Sequence, residues 1–362
     1  KKFATDHLPD SKSDLFACFI ERGCRLAKDA GVSAMITMQS WMFLSSYQKL
    51  RDRLLREKTV TTMAHLGARA FGSISGEVVQ TTAYVLRNRP PGEFRPTFLR
   101  LLDGGEDEKR SNLSNPNLRF DAARQGDFEK IPGSPVAYWV SPAFRNIYDN
   151  SKLLATAAHS LQGMITGNND VFLRRWYEPR SEDLALGFSL MEQVNSSKRH
   201  WVPYNKGGEL RKWYGNNEYV LNWSNEGRDL TRSRTQNADF YLRPCVTWTF
   251  ISSSFFAARH CPEGFVWDVA GSSAFPEAPK DHNVILALMC SCLGEHLLAA
   301  ANPTINYQVE NILALPLHSA LSAIEGTVAR NVKHLIAETQ QDWDAYERSW
   351  DFQSLPLLTS ST

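Results

Sequence analysis

No two of the six cysteines (Cys18, Cys24, Cys245, Cys261, Cys290, Cys292) stand in a Cys-x-x-Cys spacing. The common zinc-binding patterns are therefore missing. Nothing suggests a disulfide framework either, so the thiols are expected to be reduced and mostly buried. Charge of one sign is lacking too. The 40 Lys and Arg against 39 Asp and Glu leave a net +1, so a nucleic-acid surface can only be a local patch. There is no leader-like segment, and no apolar run is long enough to span a bilayer. The longest, residues 284–301, is broken by Ser291, Gly294, Glu295 and His296. The expected location is the cytoplasm, away from any membrane. Without a Gly-x-Ser-x-Gly elbow, Asp268, Ser272 and His282 do not make a hydrolase site. No Asp…Glu-x-Lys cluster of a nuclease is visible. His260 beside Cys261 has no second ligand pair, so no metal is expected.

What is present suits a globular chain of two domains: 362 residues, 43% hydrophobic and 22% charged. Residues 198–234 stand out. Basic side chains (Lys198, Arg199, Lys206, Arg211, Lys212, Arg228, Arg232, Arg234) alternate there with Trp201, Tyr204, Trp213, Tyr214, Tyr219 and Trp223. Asn205, Gly207, Gly208, Gly215, Asn216 and Asn217 fill the gaps. Lys and Arg neutralise phosphates, and Asn and Arg can bond base edges. The same composition also fits a solvated strand-and-turn surface over core tryptophans.

Along the chain, Ser13 and Asp14 open a helix with Leu15, Phe16, Phe19, Ile20 and Leu26 at helical spacing. Residues 32–38 read as a strand buried on both faces of a mostly parallel sheet. Residues 44–56 read as a helix, and 59–71 and 78–86 as strands flanking a glycine-bearing loop. This pattern describes half of a doubly wound α/β sheet. Pro90-Pro91-Gly92 marks a boundary. An aromatic strand is expected within 128–140, a short helix from Ser141-Pro142, and a tight turn at Gly167-Asn168-Asn169-Asp170. Residues 246–277 suggest several short strands, 283–301 a long apolar helix, and 319–340 a helix with a Leu321, Ile324, Val328, Val332 stripe.

The wording of these stretches resembles one family. WVPYNKGGELRKWYGNNEYVLNW is similar to the target-recognition region of the PglX-type adenine-specific DNA methyltransferases of BREX phage-defence systems. SDLFACFIERGCRLAKDAGVSAMITMQSWMFLSSYQKLRDRLL and HLGARAFGSISGEVVQTTAYVLRN resemble the last third of that family's methyltransferase domain. GMITGNNDVFLRRWYE matches its Thr-Gly-x-Asn-Asp turn and following Phe-Leu-Arg. Residues 246–277 are a fourth match. NPTINYQVENILALPL resembles its closing helix and Leu-Pro strand, and WDAYERSWDF the start of its C-terminal extension.

The resemblance implies an α/β protein in three parts. Residues 1–90 would be the C-terminal part of a Rossmann-like, doubly wound methyltransferase domain, residues 91–318 a mixed α/β target-recognition domain, and 319–362 a helical extension. The family's glycine-rich S-adenosylmethionine loop and Asn-Pro-Pro-Tyr motif are missing. Ser114-Asn115-Pro116-Asn117 and Ala301-Asn302-Pro303-Thr304 lack the second proline and the aromatic. The chain, which begins at Lys1, therefore reads as a fragment of an adenine-N6 methyltransferase, inactive alone, with S-adenosylmethionine bound by the full-length enzyme. Phe71 would stack on the flipped base. Thr166, Asn168, Asn169, Arg174, Lys198, Arg199, Asn205, Lys206, Arg211, Lys212, Asn216, Asn217, Arg232 and Arg234 would meet double-stranded DNA. Other BREX proteins or DNA-mimicking phage inhibitors are further expected partners. The alternatives are a non-catalytic specificity module or an interaction scaffold.

Overall fold

The computed structural model describes residues 2–72, 79–230, 237–252 and 255–359. It divides into two compact units: Lys1–Asn150 with Ala300–Pro303, and Ser151–Ala299 with Thr304–Thr362.

In the first unit, the extended Asp14 accepts a hydrogen bond from Phe16 N at 3.4 Å and starts the helix Leu15–Leu26. The cap lies one residue beyond Ser13. The helix buries Ala17, Cys18, Ile20 and Cys24. Strand β1 (Val32–Met38) is linked through the helix Gln48–Glu57 to β2 (Thr59–Gly67). Both pair antiparallel with β3 (Thr81–Arg87), which lies between them, so β1 and β2 run parallel. Only a crossover can join parallel neighbours in this way. β4 (Thr97–Arg100) adds parallel to β2, and β5 (Arg119–Phe120) antiparallel to β4. The α/β class is thus as expected, with an antiparallel strand inserted in the parallel pair.

One sheet face carries Met63, Tyr84, Leu86 and Phe98 into a core with Ile20, Trp41, Leu50, Leu54, Phe128 and Tyr138. The other face, with Ala34, Ile36, Thr62, Ala64, Ala83 and Val85, lines an open groove of about 390 Å³. β1 is therefore not buried on both sides: Val32 is 62% and Ile36 57% exposed.

The boundary expected near residue 90 falls inside this unit. Arg51, 1% exposed, explains part of the attachment. Its Nε donates to Gly133 O (3.0 Å) and Ser134 O (3.1 Å), and its Nη1 to Trp41 O (2.8 Å) and Leu44 O (3.0 Å). Burial pushes the guanidinium down to about 10. With those carbonyls committed, residues 131–140 form turns where an aromatic strand was expected. The helix Pro142–Asp149 follows, capped by Ser141 Oγ, which accepts from Phe144 N at 3.2 Å.

The second unit contains β6 (Ser151–Leu153), β7 (Ala158–Leu161), β8 (Leu173–Arg175), β9 (Trp201–Asn205), β10 (Tyr219–Asn222), β11 (Cys245–Trp248), β12 (Ala258–Cys261), β13 (Val266–Trp267), β14 (Ser273–Pro276) and β15 (Pro316–His318). Two four-stranded sheets form, ordered β13-β9-β10-β8 and β12-β11-β14-β7, plus the pair β15-β6. Within the first, β13 runs parallel to β9, so their C-terminal ends coincide. Their shared core includes Met164, Val202, Tyr204, Leu221, Tyr241, Trp267 and Phe275.

The long apolar helix of the sequence is broken. Pro279–Cys290 and Cys292–Ala301 meet at 72°, with Ser291 extended between them. Among the described residues no single helix is long and apolar enough to cross a membrane. The six cysteines are free thiols, and only Cys292 is exposed. Of the expected stripe on the helix Leu321–Asp344, Val332 is buried while Ile324 is 51% exposed. Anchorage comes instead from Trp343, whose ring Arg211 and Arg348 approach at 5.0 and 4.4 Å. Beyond Ala345 the chain turns and does not continue as a helix.

Arg51→Met would strand several buried carbonyl oxygens without donors. A loss on the order of 3–5 kcal/mol is expected in urea unfolding, an effect far larger than an exposed Arg→Met substitution gives.

Candidate nucleic-acid interface

The second unit brings two stretches together that are far apart in sequence. β9 and β13 end side by side, with Trp267 opposite Asn205. The loop before β8 joins them: Met164 N donates to Trp267 O (2.9 Å) and Val269 N to Met164 O (3.1 Å). Gly163 is required there, because a Cβ would sit 2.2 Å from Trp267 O. On the other side, Gly207 takes φ +83°, where a Cβ would meet Ala270 O at 2.7 Å. The result is an open pocket of about 760 Å³ with mostly apolar walls, lined by residues 165–167, Asn169, Lys206, Gly208, 249–251 and 268–270.

Asp268 is the centre of this pocket's wall. It is 8% exposed. Its Oδ2 accepts from the Tyr204 hydroxyl (2.7 Å) and from Lys206 Nζ (3.0 Å), and its Oδ1 from Ala270 N (2.7 Å). Burial, reinforced by the Asp268 charge, pushes the Tyr204 phenol well above its ordinary value. Tyr204 therefore stays protonated and keeps donating. Lys206, its side chain 27% exposed, points its ammonium from this support. Thr166 Oγ1 donates to Asn169 Oδ1 at 2.5 Å.

The candidate DNA contacts separate into groups. Thr166, Asn169 and Lys206 share the pocket. Asn168 is exposed beside it, and Lys198 and Arg199 are exposed ahead of β9. Arg174 turns back on its own turn, donating to Asp170 O (2.7 Å) and Leu173 O (2.6 Å). Asn205, 4% exposed, donates to Thr247 Oγ1 (2.5 Å) and serves the interior. Asn216 and Asn217 are likewise buried, Asn216 donating to Glu209 O at 2.9 Å. Arg211 is 3.6 Å from Asp342 and stacks on Trp343; Lys212 donates to Cys290 O at 2.9 Å. Of these last five residues, all expected at DNA, Asn205, Asn216 and Asn217 are buried in the unit and Arg211 and Lys212 are partly buried with partners inside it. Arg232 and Arg234 lie outside the described residues. Asp268, which composition did not single out as a partner for Lys206, carries no local signal: its partner is 62 residues away.

In the first unit, Phe71 is half-buried just beyond β2, and Gly72 N donates to Glu106 Oε2 at 2.9 Å. Residues 73–78 of this loop lie outside the described residues. Its far end is tied down by Gln80, whose carbonyl accepts from Gln39 N (2.9 Å) while the two side-chain amides bond each other. Gln39 Oε1 in turn accepts from His65 Nε2 (2.7 Å), and the Tyr138 hydroxyl donates to His65 Nδ1 (3.1 Å), a tautomer set by this network. Burial, with Arg100 and Lys109 nearby, lowers His65 to about 3. His260 and His282, bonded at 2.9 Å, are lowered by burial to about 4.

Comparison with known proteins bears on both units. The family model described as Eco57I restriction-modification methylase matches residues 1–71. The adenine-specific methyltransferase BrxX of Escherichia coli O9:H4 (strain HS) is 42% identical over 364 residues, covering 99% of this chain and 29% of that protein. The adenine-specific methyltransferase PglX of Lacticaseibacillus casei (strain Zhang) is 39% identical over 379 residues, covering 99% and 31%. The chain thus spans under a third of these relatives. Among solved structures, the type IIL restriction-modification enzyme MmeI in complex with DNA matches at TM-score 0.51 and 12% identity, covering 94% of this chain and 46% of that one. A nuclease-deletion mutant of the type ISP enzyme LlaGI, in complex with a DNA substrate mimic, matches at 0.51 and 11%, covering 90% and 31%. At such identities the likeness is one of fold.

Because His65 is neutral when folded and titrates near 6.5 when unfolded, the unfolded chain binds the extra proton between those values. Stability should fall as pH drops from about 6.5 toward 3, by up to about 1.4 kcal/mol per pH unit. Urea titrations at stepped pH should show this component missing in His65→Gln.

Proposed function

We propose that this chain, which belongs to the PglX-type adenine-specific methyltransferases, supplies DNA target recognition and the base-stacking loop of such an enzyme. One observation carries the reading. Two stretches of the second unit that look suited to nucleic acid meet in one pocket, where Ile165, Thr166, Gly167 and Asn169 line mostly apolar walls together with Gly208 and the fixed cation Lys206. The DNA held by MmeI and LlaGI, neighbours in fold, supports it.

In this reading the second unit docks on duplex DNA. Lys198 and Arg199, exposed and free to reorient, neutralise phosphates, while Asn169, held by the buried Thr166, and Lys206 face base edges. An enzyme that methylates the exocyclic amine of adenine must extrude that base, and Phe71 would stack on it. The His65–Gln39–Gln80 relay steadies the strand end from which the loop departs. S-adenosylmethionine does not fit the residues of the first unit. Among the described residues its cavities are lined by the charged set Glu21, Arg25, Arg53, Glu57 and Lys58, or by apolar surfaces without a carboxylate for ribose hydroxyls: an open sheet face and a groove between Phe3, Leu8, Leu15 and Phe19. Donor binding and transfer are assigned to the length that the relatives have beyond this span.

Two measurements test this. Duplex affinity of the chain should fall steeply with salt, and Lys198→Ala with Arg199→Ala should weaken all sequences alike and cut the salt slope by about 2. A scaffold would show no salt-dependent duplex binding. In the full-length enzyme, Phe71→Ala should lower affinity for duplex mismatched at the target adenine by roughly 5- to 150-fold, the range that stacking on one base supplies. An unchanged affinity and methylation rate would remove Phe71 from the mechanism.

A further inference from the structure

Within the mostly apolar pocket around Lys206, the polar end presents donors, and several of the acceptors beside them are already engaged. Both Asp268 oxygens are engaged by Tyr204, Lys206 and Ala270 N. Asn169 Oδ1 accepts from Thr166, and the Thr249 hydroxyl donates to Gly208 O at 3.0 Å. Three of the pocket's backbone carbonyls are occupied as well. Asp268 O accepts from Gly271 N (3.1 Å), Val269 O from Ser272 Oγ (3.0 Å) and Ala270 O from Phe250 N (3.0 Å). The side-chain N–H donors left to bond a ligand are two on the Lys206 ammonium, since one of its three is spent on Asp268, and those of the Asn169 amide.

Lys206 is also poorly suited to screening phosphate. Asp268, 3.0 Å away, already offsets much of its charge and fixes its direction. A directed pair of donors suits recognition of a shape. In the major groove only guanine presents two adjacent acceptors, N7 and O6. Adenine and cytosine each place an amino group toward the protein, which would face the ammonium donor to donor. Thymine offers one acceptor beside a methyl group.

We propose that this pocket reads one guanine of the target duplex, with Lys206 as the specificity-determining residue and Asp268 as its positioning residue. The assignment rests on the second unit being a DNA-recognition domain. The test is selection from a randomised duplex library by the 362-residue chain, followed by sequencing. Wild type should enrich guanine at one position. Lys206→Ala should relax that position by roughly 10- to 100-fold with the others kept, and Lys206→Gln should shift it toward adenine, which glutamine bonds bidentately. Replacing that guanine by 7-deazaguanine, which removes N7, should weaken wild-type binding several-fold; this arm uses wild type alone and so does not depend on how the variants fold. Enrichment whose positions Lys206→Ala leaves unchanged would overturn the guanine assignment alone. So would a uniform loss across all sequences, which would make Lys206 a phosphate contact. Absence of any salt-dependent duplex binding by wild type would overturn the recognition reading and this inference together.

Discussion

A buried carboxylate sets the geometry of the second unit. An ionised group removed from water costs several kcal/mol unless hydrogen bonds replace its hydration. Asp268 meets that demand with a phenol, an ammonium and a backbone amide. Two donors come from the end of β9 and one from the turn after β13, so satisfying the charge ties these segments together, and Met164 adds the loop before β8 through Trp267 and Val269. A pocket follows from this closure, completed by residues 249–251 beyond β11.

The first unit uses the same economy with different groups. Arg51 gathers carbonyls from irregular backbone on two sides, and His65 links Tyr138 to the residues at the base of the Phe71 loop. Both side chains are committed inward, where each polar atom left unpaired costs free energy. Lys198 and Arg199, by contrast, stay exposed. The distinction between inward and outward polar groups is what separates fold from function here.

Much of the local structure was legible from residues alone. Helical spacing located the Leu15–Leu26 helix, Ser141 capped the helix it was expected to cap, and the Gly167-Asn168-Asn169 turn stands beside β8. The family resemblance, carried by motif wording along the chain, agrees with relatives about 40% identical. What misled was the mixed composition of residues 198–234. Asn205, Asn216, Arg211 and Lys212 look like candidate contacts by type, yet each is taken up by a partner in the fold. The break at Ser291 and the packing of residues 91–150 were missed for a similar reason: composition does not say which neighbours claim a backbone carbonyl.

The sequence by itself determined the periodicities, the caps and turns, the absence of zinc-type cysteine spacing and the family to which the wording points. These depend on neighbours a few residues away. Only the tertiary structure decided which cations are free. That choice turns on partners such as Asp268 for Lys206 and Asp342 for Arg211, and a buried or paired charge is set by groups distant in the chain.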